Sequence, residues 1–251
     1  INSMLTYHEY DSKIDESSKV WRLNNLLIPL MSLSEKCQGH YFLPNRLKLK
    51  EVLGENDMYP DFYDINFPKK VDLTEILYKK LERTGMVNGL RASKQGIRYV
   101  REWLAKKELS GPLIVVTLRN SNFDQARNSN EKEWIKFAHY LKSKGFIPVF
   151  IPDTDAAFKL NTSLEEHLIF EECAWNIGLR IALYEIAYLN FFSPNGCIVL
   201  AMFNKNCNYI AMNMLPIGSS ITTAEAYRKV GHTIGENYKF SNSRQQLCFK
   251  S

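Results

Sequence analysis

The stretch Leu113-Ile114-Val115-Val116-Thr117-Leu118 decides the fold. It carries no charge and is rich in β-branched side chains, the mark of a strand buried on both faces. Ser110-Gly111-Pro112 punctuates the chain just before it, and an alternating pattern follows it. Asn130 is placed to cap a helix over Glu131–Lys144, with Trp134, Phe137, Ala138 and Leu141 on its apolar face and Gly145 at its end. Phe146 to Ile151 reads as a second strand and Leu168 to Phe170 as a short third. Ile177 to Phe191 reads as one strongly apolar helix closed by Ser193-Pro194-Asn195-Gly196. Cys197 to Met202 reads as a buried strand, and Tyr209–Met214 and Thr223–Val230 as short helices. Strands alternating with helices of this length imply βαβ units and a parallel sheet. The expected class is α/β, with a Rossmann-like domain over residues 111–251.

Upstream of Gly111 the signals are mainly helical. Val20 to Leu33 places Leu23, Leu26, Leu27, Leu30 and Leu33 at helical spacing, with Pro29 as a kink point. Asp72 can cap a helix through Leu81, and Ser93 another through Lys107. Tyr41-Phe42-Leu43 reads as a short strand, and Asn56 to Lys70, rich in aromatic, Asp and Pro residues, as a loop. Residues 1–110 are thus expected to form an abbreviated, mainly helical N-terminal part.

The 251 residues are 45% apolar and 24% charged, which excludes a disordered tail, a collagen-like fibre and a coiled-coil rod. Thirty-two Lys and Arg against 27 Asp and Glu leave 32 − 27 = +5. That balance suits a protein that handles anions and falls short of the dense basic patch of a nucleic-acid binder, so no nucleic-acid polymer is expected as a partner. Cys37, Cys173, Cys197, Cys207 and Cys248 are odd in number and include no C-x-x-C pair, so reduced thiols are expected rather than a disulfide framework or a zinc site. With no signal pattern at the start and no apolar run of bilayer length, the chain reads as cytoplasmic, a reading compatible with peripheral membrane contact. The opening Ile1-Asn2-Ser3-Met4 suggests that residues precede it in the natural protein, or that a tag was removed.

In an open parallel sheet, ligands bind outside the C-terminal ends of the strands. The loop after the first strand carries Arg119, Asn120, Asp124, Arg127, Asn128 and Asn130, immediately before a helix N-terminus. Arg119 and Arg127 can offer forked donors to phosphate oxygens, and the helix adds partial positive charge. No Gly-x-Gly-x-x-Gly or Walker pattern occurs at this turn, which disfavours NAD binding and P-loop ATP hydrolysis. Alternatively, these polar residues solvate a loop and Asn130 is only a cap. The second strand ends at Asp153, whose carboxylate can hold a sugar hydroxyl or cap a turn. Arg180, Tyr184 and Glu185 interrupt an apolar helix; they either pair structurally or line the cleft. Asn195-Gly196 is expected at the edge opposite the site, and Phe203–Asn206 at the ligand edge as a second anion position.

These residues carry a resemblance. The order Thr117-Leu118-Arg119, Arg127-Asn128-Ser129-Asn130, Trp134, Pro152-Asp153-Thr154, then Arg180 to Glu185 with Asn190 and Asn195-Gly196 resembles the C-terminal half of bacterial GT-B-type glycosyltransferases. The layout is similar to the nucleotide-sugar half of fucosyltransferases, in which a strand-end Arg contacts the donor diphosphate; Arg119 matches that position. The stretch Trp21 to Pro68, with Gly39-His40-Tyr41, Arg46 and Tyr59-Pro60, looks like a remnant of the acceptor-side half. The resemblance implies a UDP- or GDP-linked sugar as donor, a carbohydrate or other hydroxyl acceptor in surface carbohydrate synthesis, and no further cofactor.

Transfer would rest on positioning and on neutralising the leaving diphosphate, with Arg119 and Arg127 supplying charge. A metal-independent site is expected. Asp124, Asp153 and His40 are the candidates for a general base. A catalytically silent nucleotide- or sugar-binding module, or a scaffold, is the alternative of a different class. A hydrolase or epimerase acting on nucleotide-sugars is the third reading.

Overall fold

The computed structural model describes residues 16–41, 43, 48, 51, 73–85, 89–154 and 164–249. The strand proposed at Tyr41–Leu43 lies only partly within these residues, and the Asn56–Lys70 loop, the Asp72 cap, Arg46, Tyr59 and Pro60 lie outside them.

Six strands form one parallel sheet: β1 (Leu113–Thr117), β2 (Ile147–Ile151), β3 (Leu168–Ile169), β4 (Leu189–Phe192), β5 (Tyr209–Ala211) and β6 (Gln245–Leu247). Their order, β3-β2-β1-β4-β5-β6, makes this an α/β Rossmann-like sheet whose direction of winding reverses between β1 and β4. Alternation along β1 explains its unbroken apolar sequence. Ile114 and Val116 pack with Ala138, Leu141 and Phe191 on one face. Leu113 and Val115 pack with Val100, Ile181 and Leu183 on the other. No residue of β1 reaches solvent, so none is polar except Thr117 at its end.

The helices follow in chain order. The first spans Glu16–Arg22 (α1) and the second Ile28–Ser32 (α2), joined by a π-helical turn at Leu23–Leu27. The Ile28 amide reaches back to Leu23 O, a wider loop than an α-helix makes, directly before Pro29. A proline without an N–H invites such a register slip, so the expected kink takes the form of a π-turn. Helix α3 covers Leu73–Thr84 and α4 Lys94–Ala105, the latter capped by the Ser93 hydroxyl, which accepts from the Gly96 amide at 3.0 Å. Helix α5 (Glu131–Ser143) is capped by Asn130 as expected. Helix α6 is short (Glu172–Trp175), and α7 covers Ile177–Ile186. Then come α8 (Ile198–Met202) and α9 (Ala224–Lys229), which Thr223 caps. Gly96 packs α4 against α7: a Cβ there would sit 3.1 Å from Gly178 O. Trp103 of α4 stacks on Phe170 at 4.2 Å, fixing the same layer to the sheet.

Three expectations fail together. The segment Ile177–Phe191 is a helix only to Ile186; Ala187 turns extended and Leu189–Phe192 is β4. Cys197–Met202 is a helical turn rather than a strand, and Tyr209–Met214 contains a strand rather than a helix. Uniform burial is the cause, because helix α7 and strand β4 are both nearly all apolar and periodicity cannot divide them. The missed strand carried the two following assignments with it, whereas the helix expected at Thr223–Val230 is present as α9.

The end of the chain closes over α3. His232 is 3% exposed, and its Nδ1 lies 2.8 Å from the Tyr78 hydroxyl. Its ring packs on Tyr238 at 4.9 Å and Tyr227 at 5.3 Å. Burial pushes Tyr78 up to about 12 and lowers the pKa of His232, so both groups are neutral. Burial, aided by Lys142 and His139, lowers His167 as well. A folded pKa below the unfolded value of about 6.5 gives stability that is present above that pH and lost as pH falls through it. The melting temperature is therefore expected to drop on acidification below about pH 6.5, with a smaller slope in His232→Gln. A flat profile from neutral pH to about pH 5 would contradict this account.

Candidate functional site

The reversal between β1 and β4 opens the sheet at its C-terminal edge, where the β1–α5 and β4–α8 loops diverge. Both are pinned there. The Ser129 and Ser193 hydroxyls share a hydrogen bond of 2.9 Å, and Arg127 Nε donates to Pro194 O at 3.1 Å. The β5–α9 loop joins them, since the Ser219 hydroxyl donates to Asp124 Oδ2 at 2.6 Å. From the β2 side, Asp153 Oδ2 accepts from the Asn120 amide at 2.8 Å.

Arg119 turns inward. It is 6% exposed, and its guanidinium donates to Asp124 O, to Phe123 O and to Asn128 Oδ1. Asn128 adds bonds to both backbone groups of Ser121. Arg119 and Asn128 thus fold the loop upon itself and hold Asp124 in the left-handed region at φ 50°. Asn130 caps α5 through the Glu133 amide, and Asn120 is exposed at the edge.

Arg180 lies beneath the edge, in the first turn of α7 and 4% exposed. It donates to Cys173 O, to Ala174 O at 2.8 Å and to Cys197 Sγ, which ties α6 to the start of α8. Among the described residues no carboxylate forms an ion pair with it. Burial opposes its charge, but Cys197, Tyr184, Cys173 and the more distant Asp153 outweigh that, and its pKa stays above the ordinary value. It is a buried cation with carbonyls and a thiol, and no salt bridge, as partners.

Two residues before Cys197, Asn195 Oδ1 accepts from the Ile198 amide at 3.2 Å, while Asn195 Nδ2 is buried with no hydrogen-bond partner. Gly196 is exposed, and a Cβ there would meet nothing within 4 Å. The Pro194–Cys197 corner is thus backed, through Cys197 Sγ, by a buried cation, and it carries one buried, unsatisfied donor beside an exposed glycine.

The structure corrects two placements. Asn195-Gly196 stands at the ligand edge, not opposite it, because it follows β4. Phe203–Asn206 precedes β5 and so stands at the opposite edge. Glu185 also lies there: its Oε1 accepts from the Ala92 amide at 2.8 Å and from Asn204 Nδ2. Tyr184 is fully buried and bonds Thr117 Oγ1 at 2.9 Å, supporting the end of β1 from below. His40 is exposed in the segment after α2. The edge therefore gathers Arg119, Asn120, Asp124, Arg127, Asn128, Asn130, Asp153 and Arg180 around a loop, Ser193–Cys197, that sequence reasoning had placed elsewhere.

No protein-family model matches the chain, and no curated protein matches it. Two solved structures do. The glycosyl transferase family 9 protein from Veillonella parvula DSM 2008 aligns with a TM-score of 0.42 and 12% identity, over 51% of this chain and 37% of its own. The ADP-heptose LPS heptosyltransferase II of E. coli aligns with a TM-score of 0.38 and 16% identity, over 49% of this chain and 38% of its own. This chain thus spans less than two fifths of the length of either protein it is similar to.

Proposed function

We propose that the chain binds a nucleoside-diphosphate sugar at the β1/β4 edge and serves as the donor half of a glycosyltransferase. The observation that carries this reading is the buried Arg180 cation, without a carboxylate partner among the described residues, joined through Cys197 Sγ to the Asn195-Gly196 corner. A diphosphate seated there would gain the Arg180 field, and Asn195 Nδ2 would find a partner in it by turning outward. Arg119 and Asn128 act in this reading by shaping the loop, and Arg127 by tying it to Pro194. The bond from the sugar C1 to the diphosphate oxygen breaks as the acceptor oxygen attacks, and the diphosphate departs as a charge these groups stabilise. Asp153, held at the edge by the Asn120 amide, is the base we assign for the acceptor proton.

The test is thermal melting with UDP, GDP and ADP in turn. Selective binding at a hundredfold excess over Kd stabilises by about 2.7 kcal/mol and raises Tm. No shift with any of the three would overturn the reading. A shift without release of free sugar, from a donor carrying the matching base, would instead establish a binding module.

A further inference from the structure

The sheet edge opposite the β1/β4 opening carries a polar recess of its own. Tyr209 pairs with Gln245 in the parallel register, so Asn208 and Arg244, the residues just before them, stand side by side about 4.8 Å apart at the strand entries. Two turns meet there. Asn242 Nδ2 donates to Lys205 O at 3.2 Å, and Asn242 Oδ1 accepts from the Arg244 amide at 2.8 Å. The recess holds about 350 Å³ and is lined by Lys205, Asn206, Asn208, Asn242, Ser243 and Arg244. Buried amides fix its walls. Gln245, 1% exposed, donates to the carbonyls of Ala201, Asn204 and Cys207 at 3.0, 3.1 and 3.2 Å. Asn204, fully buried, accepts from the Asn206 amide at 3.0 Å, and Asn208 Nδ2 donates to Tyr188 O at 3.0 Å.

Two cations share this frame. Lys205 and Arg244 are exposed, and among the described residues neither side chain has an ion pair or a hydrogen bond. No carboxylate is among the described residues that line the recess. Glu185, the carboxylate bonded to the Asn204–Cys207 turn, is engaged inward by the Ala92 amide and Asn204 Nδ2. Like charges on one recess repel until an anion joins them, and the concave wall focuses their field. An Arg fork and a Lys point charge together match the oxygens of a phosphate monoester. The rest of the lining is uncharged and hydrogen-bonding. The Asn206 carboxamide, Asn208 Oδ1 and the Ser243 hydroxyl make no bond within the described residues, so they offer donors and acceptors to hydroxyl groups. The volume exceeds that of a lone phosphate and lies at the small end of the range for ligand sites.

We propose that the Lys205/Arg244 recess is a second site, for a sugar phosphate of monosaccharide size, separate from the donor edge. The proposal stands on the recess and its two cations and does not rest on the transfer reading. The experiment is calorimetric titration of the full chain with glucose 6-phosphate, and with glucose and inorganic phosphate separately at matched ionic strength. Glucose 6-phosphate is expected to bind, and each half alone at least tenfold more weakly. Arg244→Gln and Lys205→Gln are each expected to lower its affinity roughly tenfold, the scale of one lost charge-assisted hydrogen bond, with unchanged melting temperature. Arg180→Met, at the other edge, is expected to leave this binding unchanged, whatever it does to nucleoside diphosphates. Absence of binding by glucose 6-phosphate overturns the proposal, and so does equal affinity in both recess variants. Inorganic phosphate binding as tightly as the ester would make this an anion site without a sugar and also overturns it. Loss of binding in Arg180→Met would return the ligand to the donor edge.

Discussion

Arg180→Met is expected to erase stabilisation by a nucleoside diphosphate at the proposed site while leaving a folded chain. Methionine fills much of the same volume and carries no charge. Two carbonyls, Cys173 O and Ala174 O, lose a charged donor, each bond being worth about 1.5–3 kcal/mol. That loss is offset in part, because a guanidinium without an ionic partner no longer has to be held out of water. A net destabilisation of about 1–3 kcal/mol follows, and most domains survive it. The effect on ligand is larger. Removing a buried, hydrogen-bonded charge near an anion costs about 2–5 kcal/mol, so affinity should fall by roughly thirtyfold or more. Arg180→Lys separates field from fork: it keeps the charge but not the geometry that reaches both α6 carbonyls and Cys197. Partial ligand response in the Lys variant and none in the Met variant is the pattern a field effect produces. A Met variant with a full ligand-induced shift in Tm would remove Arg180 from the site.

The fold was legible where residue types disagree with their neighbours. Leu113–Thr117 stands out because Pro112 and the polar loop after Leu118 bound it, and α5 because Asn130 opens it and Gly145 follows it. From Ile177 to Phe192 no such boundary exists. Tyr188, 60% exposed among buried residues, is the one local sign that the chain turns there. Asn190 looks like a helix-surface residue in sequence. In space its Nδ2 sits between Tyr184 O and Asn208 O, 3.0 and 2.9 Å away, stitching the end of α7 to the chain entering β5. Those are contacts across 6 and 18 residues, and no local pattern encodes them.

The same misplacement governed the site. Edge assignment in a parallel sheet depends on counting strands correctly, since each element reverses direction. With β4 absorbed into a helix, Asn195-Gly196 falls at the opposite edge, and the anion positions legible in sequence are the β1–α5 loop and Phe203–Asn206. Arg119 was then the natural donor. Its side chain instead closes on Phe123, Asp124 and Asn128, a use that depends on the left-handed Asp124 and cannot be read from spacing. The polar pattern drew attention to the C-terminal edge of the sheet, but which cation shapes a loop and which lies buried under it is a matter of tertiary contact.

Phe192→Ala should show how closely core and site are joined. Phe192 is fully buried at the end of β4, the residue before the Ser193–Cys197 loop. Its ring meets Tyr184 edge-on at 5.0 Å and Tyr209 at 6.0 Å. Truncation leaves a cavity between strand and α7, and such a change costs about 3–5 kcal/mol. Two aromatic pairs go with it, each worth about 0.5–1.5 kcal/mol beyond area. Against a typical total of about 5–15 kcal/mol, the variant should melt far lower and denature at much lower urea concentration. The cavity also lies beside Tyr184, whose hydroxyl holds Thr117 at the end of β1. Relaxation there would move both walls of the β1/β4 opening. Phe192→Leu keeps most of the volume and should recover most of the stability. If ligand response returns in step with stability along Ala, Leu and Phe, the site is a product of core packing. A chain that loses under about 1 kcal/mol in the Ala variant would contradict the burial of this ring.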